Sequence, residues 1–72
     1  MKIYRIKTEE FVYVKAVLFE TNPFSLGMIP TIDITEAAWY EEDKAKRYCE
    51  DLNNNELYQD NDIKFVLEEV VR

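Results

Sequence analysis

Along residues 11–21 apolar positions fall on both sides of a two-residue period. Val12, Val14, Ala16 and Leu18 make one side, and Phe11, Tyr13, Val17 and Phe19 the other, with Lys15 the one polar residue before Glu20. β-Branched and aromatic residues suit a pleated surface, so this stretch reads as a strand. Strands apolar on both sides are usually central in a sheet or covered on both faces. Residues 2–7 predict a shorter strand before it, joined through the polar connector Thr8-Glu9-Glu10, which is compatible with a hairpin turn. Residues 22–30 read as a loop, bracketed by Pro23 and Pro30 and holding the only glycine, Gly27. Ile32 and Ile34 then alternate with polar neighbours, which predicts a third strand from Thr31 into Ala38-Trp39-Tyr40. A helix capped by Thr35 and continuing through Trp39 is the alternative.

From Glu42 the period changes. Ala45, Tyr48, Cys49 and Leu52 recur at helical spacing and form one apolar stripe over residues 42–54. Glu41, Glu42 and Asp43 sit where the helix dipole favours negative charge. Asn53-Asn54-Asn55 ends the helix, since asparagine tolerates the left-handed cap conformation. Residues 56–62 read as a polar loop, and residues 63–71 as a last strand in which Ile63, Phe65 and Leu67 alternate with their neighbours. The order is β-β-β-α-β, an α+β fold with an antiparallel sheet and one helix packed on one face.

A single helix covers one face of such a sheet. Val12, Val14, Ala16 and Leu18 are expected to meet the helical stripe, which leaves the opposite side of the second strand without cover. Large exposed apolar patches on soluble proteins usually mark interaction sites. The expected interface is therefore Phe11, Tyr13, Val17, Phe19 and Trp39, with Phe24 and Met28 from the loop, and its simplest use is a homodimer.

Size points the same way. The 72 residues read as a single small domain, and a chain this short buries only about 60% of the surface it exposes when unfolded. Disulfides, a structural metal or self-association usually support such domains. Cys49 is the only cysteine and there is no histidine, so an internal disulfide and a Cys/His zinc cage are both excluded. Self-association or a protein partner is left.

The net charge of -6 argues against direct binding to nucleic acid, whose phosphates demand clustered Lys and Arg, and against an anionic membrane surface. Acids outnumber bases mainly beyond Asp33. Such clusters usually form a solvated face that keeps a small protein soluble. The sharper reading takes Glu41, Glu42, Asp43, Glu50 and Asp51 as an imitation of duplex phosphates. An acidic inhibitor of that kind blocks a nucleic-acid-binding host protein, such as a defence or restriction component. The alternating N-terminal residues lack the apolar run of a signal peptide, so a cytoplasmic location is expected.

Enzymatic chemistry is not expected. Without histidine there is no imidazole base for a Ser/His or Cys/His nucleophile, and one glycine makes no phosphate-cradling loop. No cofactor is implied. Cys49, on the apolar stripe, is expected to be buried and inert. Asp51 to Asp62 begins with the ligand spacing of a calcium loop. It carries Glu56 where that loop needs glycine and Asp62 where it needs glutamate, so a polar turn is expected instead.

The stretch Ala38-Trp39-Tyr40-Glu41-Glu42-Asp43-Lys44-Ala45-Lys46-Arg47-Tyr48-Cys49-Glu50-Asp51-Leu52-Asn53, followed by Ile63-Lys64-Phe65-Val66-Leu67-Glu68-Glu69-Val70, resembles short uncharacterised proteins of phages and mobile elements in low-GC bacteria. Those are β-rich chains with one amphipathic helix. The resemblance covers the C-terminal half and carries over no functional residue. It implies a chain that acts by binding a host protein.

Overall fold

The sheet is built on β1 (Ile3–Thr8), which pairs antiparallel with β5 (Phe65–Glu69) from Tyr4–Glu69 to Thr8–Phe65. These elements come from a computed structural model that describes residues 2–18 and 27–71. The other edge of β1 is shared. β2 (Tyr13–Val17) meets it at Lys7–Tyr13, and the two-residue β4 (Tyr40–Glu41) meets it at Ile3 and Tyr4. β3 (Met28–Thr31) pairs antiparallel with β2 and completes a five-stranded sheet. Helix α1 (Glu42–Asn53) packs across β1 and β5, and a short helix, α2 (Glu56–Asp60), follows it. The architecture is the expected α+β sheet with one main helix.

Thr8 closes the β1–β2 turn. Its buried hydroxyl accepts from the backbone N–H groups of Glu10 and Val12, at 3.3 and 3.2 Å, and its own N–H donates to the Val12 carbonyl at 2.8 Å. The tight turn forces Phe11 to a φ of 63°, a left-handed conformation that a bulky residue adopts only under local constraint.

A register shift between Val14 and Ala16 makes Lys15 an extra residue in β2. Paired residues in an antiparallel ladder share a face, so the shift reverses the alternation. Val14 pairs with Pro30 and Val17 with Met28, on the helix side; Ala16 pairs with Ile29 on the far side. The expected pairing of Val12, Val14, Ala16 and Leu18 as the helix-facing set is thus corrected after Val14. The core comprises Ile6, Val14, Met28, Cys49, Leu52, Tyr58 and Phe65, with Val17, Tyr40, Tyr48 and Leu67 packed against it. Each fully buried aliphatic side chain of this kind contributes roughly 1.5–3 kcal/mol.

Three further expectations need correction. β3 lies inside the stretch read as a loop. Pro30 is tolerated because β3 is an edge strand among the described residues and the Val14 carbonyl opposite it turns away, accepting from the Ala38 N–H at 3.1 Å. Residues 31–40 form neither a long strand nor a helix capped by Thr35. Asp33 caps one 3-10 turn (Ile34–Glu36), its Oδ1 accepting from the Thr35 N–H at 2.9 Å and hydroxyl at 2.7 Å. The polar loop at 56–62 contains α2, capped by Asn55 and anchored by buried Tyr58, whose ring meets Phe65 edge-on at 4.8 Å.

The connection from β3 to β4 crosses β2 on the far side. Thr31 shares that face with Tyr13, and its hydroxyl donates to Glu36 Oε2 at 2.9 Å while Lys15 approaches the same oxygen at 3.8 Å. Ala37 is buried along the way, and Tyr13 is left only 6% exposed.

Candidate functional site

The side chains expected to form one apolar face are dispersed. Val17 belongs with the core because the Lys15 bulge turns it to the helix side, where it pairs with Met28. Tyr13 stays on the far side but is buried, with no partner chain needed to cover it. Phe11 is exposed at the turn, its ring 4.4 Å beneath the Lys7 ammonium. Trp39 remains half exposed. Phe19 and Phe24 lie outside the described residues. In place of a continuous apolar surface, the centre of the far face carries an ion-pair group. Glu68 accepts from Arg5 Nε at 3.2 Å and lies 3.0 Å from Lys7 Nζ. The Lys7 hydrogen bond, followed by that from Arg5, holds the Glu68 carboxyl below the usual range.

Four exposed apolar side chains follow one another in the run from β3 to β4, while Phe11, Leu18, Ile63, Val66 and Val71 are exposed outside it. Ile29 is 43% exposed, Ile32 87%, Ile34 43% and Trp39 52%. Ile29 points to the far side, the same side on which the connection crosses β2. The alternation of Ile32 and Ile34 does not mark a strand with one buried side: residues 32–36 are all exposed, and Ile34 lies in the 3-10 turn.

The candidate acidic residues line up along the start and outer side of α1. Glu41, Asp43, Glu50 and Asp51 are exposed, and Glu42 is half-exposed. Bases are set among them. Glu42 accepts from Lys46 Nζ at 3.0 Å, a contact that lowers the carboxyl's pKa and raises the amine's. Lys44 and Arg47 interrupt the remaining acids in sequence, so α1 presents mixed charge rather than a uniformly negative ridge.

A concave site lies at the opposite end of β1. The β1–β2 turn and the connection from α2 to β5 enclose a cleft of about 180 Å³. Buried Met28, Tyr58 and Phe65, with half-buried Val12, supply apolar walls. Glu9, Glu10 and Asp62, all exposed, are among its lining residues, and Lys64 is the only base among the described residues that line it. Asp62 takes a φ of 56°, which an aspartate tolerates better than most residues. Burial raises the pKa of the Tyr58 hydroxyl. A second, shallower depression shares Glu9, Asp62 and Lys64 and extends to Asn53 and Val66. Sequence reasoning missed this cleft. Glu9 and Glu10 read as a connector and Asp62 as part of a solvated cluster, and nothing local shows that a turn and a distant loop meet.

Cys49 is buried, its thiol donating to the Phe65 carbonyl at 3.3 Å, and burial pushes its pKa up. Among the described residues, no group of three His, Cys, Asp or Glu side chains is placed to hold a metal ion. None of the described helices is long and apolar enough to cross a membrane. No family model, curated protein or solved structure matches this chain.

Proposed function

We propose that this chain is a non-catalytic, cofactor-free protein-binding domain of the cytoplasm, and that it self-associates. The observation that carries the reading is the exposed run of Ile29, Ile32, Ile34 and Trp39 between β3 and β4, with Ile29 on the far side of a sheet whose helix side is packed. Tryptophan is among the residues most enriched at the energetic centres of interfaces. A standard interface takes roughly 800 Å² from each partner, so it would extend from this run onto the adjoining edge of β3. The resemblance to phage-type proteins adds a host protein as a further kind of partner.

Sedimentation equilibrium tests the reading. The wild-type chain is expected to show a concentration-dependent dimer, and Trp39→Asp to shift it to monomer with unchanged circular dichroism. A wild-type chain that stays monomeric at every concentration overturns self-association. The acidic-inhibitor alternative draws on the net charge, but the bases interleaved along α1 give it less support than the apolar run gives to self-association.

A further inference from the structure

We propose that the cleft between the β1–β2 turn and the α2–β5 connection receives one lysine or arginine side chain from a partner protein. This site is separate from the self-association surface, and its occupancy does not depend on that reading.

Three features select the occupant. The first is size: about 180 Å³ suits one long side chain and is too small for a folded segment. The second is the wall chemistry. Val12, Met28, Tyr58 and Phe65 offer apolar surface, which matches the methylene stem that lysine and arginine bury while their charged ends stay near water. The third is the charge of the lining. Three carboxylates, Glu9, Glu10 and Asp62, line the cleft against one base, Lys64, so a cation entering the cleft is attracted and an anion repelled. A wholly apolar side chain would fit the walls but would strip water from the lining carboxylates without replacing it. A phosphate group is disfavoured by the same carboxylates.

The test is a heteronuclear NMR titration of the full chain with N-acetyl-lysine-N-methylamide, using the norleucine analogue as an uncharged probe with the same stem. The lysine probe is expected to shift the amides of Glu9, Glu10, Val12, Asp62 and Ile63 in the millimolar range. Norleucine should bind about fivefold more weakly, the ratio that corresponds to roughly 1 kcal/mol for an exposed charge contact. The combined variant Glu9→Gln, Glu10→Gln, Asp62→Asn should lose the preference for lysine. It should keep the wild-type spectrum elsewhere, because Asn tolerates the left-handed backbone that Asp62 adopts. Equal binding of both probes, lysine shifts only outside the cleft, or a variant that still prefers lysine would each overturn the proposal.

Discussion

The Asn53 side chain gives Phe65 both hydrogen bonds that a neighbouring strand would supply. Its Oδ1 accepts from the Phe65 N–H at 2.7 Å, and its Nδ2 donates to the Phe65 carbonyl at 3.0 Å. The amide thus closes the start of the β5 edge from the last turn of α1. Gln59 holds the arrangement from the other side by donating to the Asn53 carbonyl at 3.0 Å.

Asn53→Ala should therefore lower stability by about 2 kcal/mol, because it leaves a donor and an acceptor on buried Phe65 without these partners. Asn53→Asp should fall at least as far. It sets a second oxygen against the Phe65 carbonyl and adds negative charge at a helix C-terminus. Urea unfolding midpoints of the two variants and the wild type make the comparison.

The placement of β3 has its own test. Met28 is 5% exposed and Ile32 is 87% exposed. Met28→Ala should cost about 2–5 kcal/mol through the cavity it leaves, whereas Ile32→Ala should change stability by less than about 0.5 kcal/mol. Similar small effects from both substitutions, measured by denaturant unfolding, would count against a β2–β3 pairing that turns Met28 into the core.

Glu68 should impose a pH dependence of known sign. Its folded-state pKa is depressed, chiefly by the Lys7 hydrogen bond and then by Arg5. The stabilisation is therefore present above the unfolded glutamate pKa and is lost as pH falls through the lower folded value. At neutral pH the wild type should exceed Glu68→Gln in stability by roughly 1 kcal/mol or less, since the pair is partly exposed. That difference should shrink under acid and at high salt. Unfolding curves of both proteins from neutral pH downward give the result.

Cys49 reports on opening of the core. With the thiol buried, its pKa raised and its proton directed at the Phe65 carbonyl, alkylation by iodoacetamide should be slow in the native protein. It should accelerate with urea in step with unfolding. Rapid native labelling at the rate of a free thiol would contradict this packing.

The parts of the fold that sequence made visible are those fixed by local periodicity. Ala45, Tyr48, Cys49 and Leu52 mark the buried stripe of α1 whatever lies beneath it, and the β-branched run before Leu18 marks β2. The missed parts depend on partners distant in sequence. An extra residue at Lys15 reverses the side chains that follow, yet period-two reading has no means of locating a bulge. Gly27 and Pro30 signal a loop until pairing with β2 makes the intervening residues a strand. Residues 56–62 read as a polar loop, because only the contact of Tyr58 with Phe65 and the rest of the core gives α2 a reason to form. The cleft was hidden for the same reason: Glu9 and Asp62 become neighbours only when β1 and β5 align.

That alignment also governs when the protein is able to fold. β1 is synthesised long before β5, yet β5 pairs with it from Tyr4 to Thr8. During translation the strand at the centre of the sheet must wait, one edge open, while the rest of this stretch emerges. Loop closure over such a separation is slow, and an unpaired strand edge is a template for aggregation. Arg5 and Lys7 give that waiting strand positive charge before Glu68 arrives to neutralise it. Charge on a strand edge opposes the edge-to-edge pairing that an open strand invites, and Glu68 neutralises it once β5 is in place.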